Sequence, residues 1–162
     1  MFRQDGFSYI GVMVTLVIAA IGMQGAAVIW QQQSQRSSEA LLLETGEAYR
    51  LAIGRYYEST PQPVKQYPVR LDELIEDKRF PVSKRHLRKL YADPFAVKQG
   101  MTLVIRDGRI VGVHSQSLLA PIRSSGYQES QSGFHGAKHY REWLFVYEPN
   151  TLADLEQAWV NR

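Results

Sequence analysis

The sequence predicts an α+β protein in which one long N-terminal helix, apolar in its first part and amphipathic in its second, packs on a small antiparallel sheet. Three observations predict it. From Phe7 to Trp30 there is no Asp, Glu, Lys, Arg or His, and no Pro interrupts the chain before Pro61. From Leu42 to Tyr56 a set of residues recurs at spacings of three and four, the stripe of a half-buried helix. From Met101 to Ser115 two β-rich runs meet at Asp107-Gly108, a dipeptide favoured in two-residue hairpin turns.

Taken in order, residues 7–30 as a helix would extend roughly 36 Å, enough to cross a hydrocarbon core of about 30 Å. They read as a membrane span. A secretory signal peptide is the main rival, but its apolar region usually covers about 7–15 residues before a small-residue cleavage site. Here the run is longer and closes on Trp30 and Gln31, an aromatic anchor followed by polar residues. The leader, residues 1–6, sets Arg3 and the terminal amine against Asp5. That bias places the leader in the cytoplasm and the rest of the chain outside, as a single-pass membrane protein.

The stretch GFSYIGVMVTLVIAA, Gly6 to Ala20, resembles the N-terminus of the type IV pilin and type II secretion pseudopilin superfamily. The resemblance implies that a prepilin peptidase cuts between Gly6 and Phe7 and that the new terminal amine of Phe7 is N-methylated. It also implies an inner-membrane assembly platform as partner, and helices that leave the membrane to pack with those of other pseudopilins or pilins in a filament core. Small residues along the segment, among them Gly11, Ala19, Ala20 and Gly22, suit close helix approach. The family usually carries a Glu as the fifth residue after the cut, pairing with a neighbour's terminal ammonium. Here that position is Gly11, and no other acid lies in the segment. An unpaired ammonium in a low-dielectric bundle costs several kcal/mol. The departure therefore points to a minor or atypical subunit.

The chain has 162 residues and a formal net charge of +3. About 100 residues follow the long helix, enough for one small domain. The expected organisation is a leader at 1–6, a transmembrane or filament-core helix at 7–30, its amphipathic continuation at 31–60 and a globular domain at 61–162. There is no Cys, so an exported domain would hold together without disulfides. That absence favours a secretion pseudopilin over a type IVa pilin, which the family commonly staples. A charge of +3 does not by itself call for nucleic acid.

Within the amphipathic half the stripe is Leu42, Thr45, Tyr49, Ala52, Ile53 and Tyr56, with Arg36, Glu39, Glu47, Arg50 and Arg55 placed off it. Gly46 and Gly54 are points where the helix could bend, each costing roughly 1 kcal/mol against Ala. Pro61 and Pro63 should end the helix near Ser59. Beyond it, Tyr67-Pro68, the Leu71/Leu74 pair and Asp93-Pro94 are similar to elements of the major-pseudopilin subgroup, in the same order. Two short helices are predicted, Leu71–Asp77 and one capped by Ser83 and running to Tyr91 with Leu87, Leu90 and Tyr91 inward. The second carries the basic cluster Lys84, Arg85, His86, Arg88 and Lys89. It reads as a solvated helical face; the alternative is a phosphate or acidic partner, as in a minor type IV pilin with an adhesive or DNA-binding role.

The Asp107-Gly108 turn sets Arg106 opposite Arg109 and Ile105 opposite Ile110, then Val104 opposite Val111 and Thr102 opposite Val113. A third strand is predicted at Trp143–Glu148. The resemblance extends here, since the subgroup carries a similar hairpin and a late Trp-x-Phe-Val-Tyr strand. Between these strands, 115–138 reads as a long, least-ordered loop, and Thr151–Val160 as a capped terminal helix. Main pseudopilins often bind calcium through acids in such a loop. This one has only Glu129, too few oxygen ligands, so neither metal nor cofactor is expected.

An enzyme is not expected. His114-Ser115 with Asp107, and the histidines His86, His114, His135 and His139, are the residue types that nucleophilic or metal chemistry would need. None stands in a catalytic motif with its required context.

Overall fold

The computed structural model describes residues 5–61, 63–127 and 129–149, without the side chains of residues 5–8, 21–29, 97 and 129. The first four leader residues and the predicted helix Thr151–Val160 lie outside the described residues. The chain divides into two compact units, 1–38 and 39–162. One helix, α1 (Asp5–Glu58), supplies the helical part of the first unit and begins the second. It is followed by α2 (Asp72–Ile75), β1 (Ala92–Asp93), β2 (Ala96–Gly100), β3 (Thr102–Arg106), β4 (Arg109–His114) and β5 (Phe145–Val146), with 3₁₀ turns at Glu129–Phe134 and Tyr140–Glu142.

The fold class is α+β, a helix packed on small antiparallel sheets. All six stripe residues of α1 are buried, against Leu74, Leu87, Met101, Ile110, Val113, Phe134, Tyr140, Trp143 and Phe145. Burying each large apolar side chain there contributes roughly 1.5–3 kcal/mol. The helix stops where proline predicts: Ser59 and Thr60 donate back to the carbonyls of Arg55 and Tyr57 at 3.0 and 3.2 Å, and Pro61 follows. Gly46 and Gly54 serve close approach. A Cβ on Gly46 would overlap the ring of Phe145, and one on Gly54 would stand 2.7 Å from the ring of Tyr147.

The hairpin forms with its turn as predicted. Asp107 (φ 52°) and Gly108 (φ 71°) are both left-handed, the geometry a type I′ turn requires. Arg106 faces Arg109 and Ile105 faces Ile110, but the next partners are Val104↔Gly112, Leu103↔Val113 and Thr102↔His114. The predicted pairs Val104–Val111 and Thr102–Val113 are therefore wrong. Val111 is an extra residue, a β-bulge, and it is buried together with Ile110, Gly112 and Val113. The cause lies on the other side of β4. Strand β5 pairs there, Gly112 with Val146 and Val113 with Phe145, and the carbonyl of Phe145 fills the space a Cβ on Gly112 would need. The predicted third strand is present but shortened to two residues.

Further expectations need correction. The Leu71–Asp77 helix is the single turn α2, and no helix forms from Ser83 to Tyr91. In that segment the backbone donors find partners across the chain instead of four residues back. Asp77 and Lys84 exchange two backbone bonds, and the amides of His86 and Leu87 both donate to the Leu74 carbonyl at 2.8 Å. Leu87 is buried as predicted, whereas Leu90 is exposed. The stretch 115–138 is not a loose loop throughout, because Ser115, Gln131 and Phe134 are buried and Phe134 stacks on Trp143.

Candidate functional site

In the first unit, every residue from Tyr9 to Ala20 is exposed, and Trp30 is 80% exposed. Side chains that water should reject thus ring the helix over this stretch. Apolar surface of this extent normally marks contact with a membrane or with other proteins. Gly6 and Phe7, the residues of the expected cut, lie in the first turn of α1. A Cβ on Gly11 would meet nothing within 4 Å, and the Gly11 carbonyl accepts a 2.8 Å hydrogen bond from the Thr15 hydroxyl. Among the described residues no helix is long and apolar enough to cross a membrane. The side chains at 21–29, in the last part of the apolar run, are outside the described residues.

The second unit contains three buried carboxylates that the sequence did not single out for this role. Glu39, placed off the stripe, is only 7% exposed. Its Oε2 accepts from the backbone amides of Ile122 and Arg123 at 2.8 and 3.1 Å and from the Tyr140 hydroxyl at 2.7 Å. It ties the 115–138 segment to α1. A signal did exist: Glu39 lies three residues before Leu42, in line with the stripe. Asp93 accepts from the Ser115 hydroxyl at 2.7 Å and from the amides of Phe95 and Gln116 at 2.9 and 3.1 Å.

Asp77, 1% exposed, anchors the third group. Arg79 grips it with two parallel bonds, Nε to Oδ1 at 2.8 Å and Nη2 to Oδ2 at 2.7 Å, and His86 Nε2 donates to Oδ2 at 3.1 Å. Burial pushes the Asp77 carboxyl up, but these bonds outweigh it and hold it down at about 2. Arg79 also donates to the Tyr56 carbonyl and the Thr60 hydroxyl, with its guanidinium 3.5 Å from the Tyr56 ring centre. Burial, and then a hydrogen bond to Glu73, raise the Tyr56 phenol. Each charge here meets a protein partner, so the cluster joins the end of α1 to α2 and to the 84–87 segment.

The residue types that might have supported catalysis are dispersed. Asp107 forms the hairpin tip while His114 ends β4, and the Ser115 hydroxyl donates a hydrogen bond to Asp93. The His114 ring donates to the Ser115 carbonyl. His135 stands edge-on to Tyr127, and His139 bonds the Leu118 carbonyl. Among the described residues no group of three or more His, Cys, Asp or Glu could hold a metal ion. His86 leaves the basic cluster for Asp77, while Lys84, Arg85, Arg88 and Lys89 are exposed.

Set against protein-family models, curated proteins and solved structures, the chain matches none of them. The functional reading therefore rests on the residues and on this geometry.

Proposed function

We propose that the chain is a minor subunit of a type II secretion pseudopilus, a pilin-like protein cut by a prepilin peptidase between Gly6 and Phe7 and methylated on the terminal amine of Phe7. Before assembly, residues 7–30 hold it in the inner membrane, with the leader in the cytoplasm and residues 31–162 in the periplasm. An assembly platform then passes it to a filament of other pseudopilins. The observation that carries this reading is the character of α1. One unbroken helix bears an apolar, uncovered surface from Tyr9 to Ala20 and, beyond Glu39, a stripe buried in a domain core.

The first surface needs lipid or neighbouring helices to cover it, and a filament subunit meets both in turn. Gly11 selects the minor role, because it leaves nothing to neutralise a neighbour's ammonium. The test is the mature terminus. Co-expressed with a prepilin peptidase, the membrane-bound protein should lose Met1 to Gly6 and carry one methyl group on Phe7, read by mass spectrometry of the N-terminal peptide. An uncut chain, or one cut after the apolar segment, would overturn the proposal.

A further inference from the structure

The segment from Val82 to Leu90 concentrates positive charge: it carries four exposed cations within six residues. Lys84, Arg85, Arg88 and Lys89 are all exposed, and none makes an ion pair among the described residues. Six other cations of this unit are matched: Arg50 with Glu47, Lys65 with Glu58, Arg70 with Asp72, Lys78 with Glu76, Arg79 with Asp77 and Arg106 with Glu148. The acids nearest in sequence are occupied, Glu76 and Asp77 by Lys78 and Arg79, and Asp93 by the Ser115 hydroxyl and the amides of Phe95 and Gln116.

The segment is also fixed in place. Lys84 pairs with Asp77, the amides of His86 and Leu87 share the Leu74 carbonyl, Leu87 is buried, and Arg55 Nη2 donates to the His86 carbonyl at 2.8 Å. A ligand meeting it would not have to order it first, which removes a main cost of binding.

Three features define the ligand. Two pairs of cations flank a buried His86-Leu87, so the complement is acidic and needs two clusters of charge or a run of it. Apolar side chains stand exposed at both ends, Val82 at 80% and Leu90 at 41%. Phosphate chains and headgroups offer these two residues nothing, whereas a polypeptide can. The nearest rings, Phe80 and Tyr91, have the ammonium groups of Lys84 and Lys89 over them at 4.0 and 5.5 Å, which takes faces that bases would stack on. We propose that Val82–Leu90 is a docking surface for an acidic segment of another protein, with carboxylates in its middle and apolar residues at its ends.

The test uses the full chain in detergent and a fluorescent peptide in which consecutive Glu residues are flanked by Leu on each side. Anisotropy should show binding that weakens at least about tenfold between low and physiological salt, since the contacts are exposed charges. Replacing Lys84, Arg85, Arg88 and Lys89 together by Ser should weaken it by a similar factor or more. All four side chains are exposed, the bonds of Lys84 that fix the segment are backbone ones that Ser retains, and circular dichroism checks that the fold is kept. The double change Val82→Ser and Leu90→Ser should weaken the peptide several-fold and leave duplex DNA unaffected. No binding of the peptide would overturn the proposal. So would DNA or vesicles binding more tightly than the peptide, or a Gln-for-Glu peptide binding equally well.

Discussion

The ring of Phe145 occupies the space that a side chain on Gly46 would need. Gly46 is a buried position of α1, and Phe145 is the first residue of β5, so helix and sheet meet at this point through the absence of a side chain. Gly46→Ala gains roughly 1 kcal/mol of helix propensity but forces Phe145 aside, an overpacking cost of about 1–3 kcal/mol. The net should be destabilising, seen as a lower Tm. Gly11→Ala, where an added Cβ meets nothing, should leave the Tm of the domain unchanged or slightly raised.

Glu39→Ala removes one acceptor from three donors. Stability should fall by about 1–3 kcal/mol, because the Ile122 and Arg123 amides and the Tyr140 hydroxyl lose a charged partner. Hydrogen exchange at Ile122 and Arg123 should accelerate more than exchange in β3 and β4. Glu39→Gln retains a carbonyl oxygen for these donors and should recover a part of the loss.

The helix–domain contact was legible in the sequence because burial follows periodicity. Leu42 to Tyr56 repeat at three and four, and the same spacing carried back one step would have included Glu39. The hairpin tip was legible too, since few dipeptides other than Asp107-Gly108 place two successive residues at positive φ without strain. The Ser83–Tyr91 helix failed because its local signals compete with a distant acceptor, the Leu74 carbonyl, and with Asp77 as the ladder partner of Lys84. Nothing within Ser83–Tyr91 announces either. The bulge at Val111 has the same origin, as it depends on β5 pressing on Gly112 from more than thirty residues away. Of the expected processing site, the sequence supplied the residue types and their order. Of the Asp77 cluster it supplied only the basic run in which His86 stands.

The Asp77 carboxyl predicts how acid affects the domain. Its ordinary value is 3.8, and in the folded chain it is held at about 2. A depressed carboxylate contributes stability that is present above the unfolded value and is lost as pH falls through the folded one. The contribution is about 2 kcal/mol. Unfolding free energy measured by urea titration should therefore hold near pH 5 and decline from about pH 4 toward pH 2. Asp77→Asn should lower stability at neutral pH and flatten that decline, because the titrating group is gone. A decline of unchanged steepness in the variant would assign it to other carboxyls.

On the proposed function, Gly11 would decide whether this subunit can follow a copy of itself into a filament. In the proposed assembly the terminal ammonium of one subunit enters a low-dielectric bundle beside the fifth residue of its neighbour, where the family usually supplies a carboxylate and this chain supplies hydrogen. Leaving the charge unpaired costs several kcal/mol, enough to stop self-addition. Within its own subunit, a Cβ on Gly11 has nothing within 4 Å. Cells overexpressing the wild type should form no filaments built of this protein alone, and Gly11→Glu should allow some by electron microscopy. Gly11→Gln separates charge from bulk: it has nearly the same size, and it should fail where Glu succeeds. Long wild-type filaments would refute the minor role, and equal gain from Gln and Glu would refute the pairing of charges as its cause.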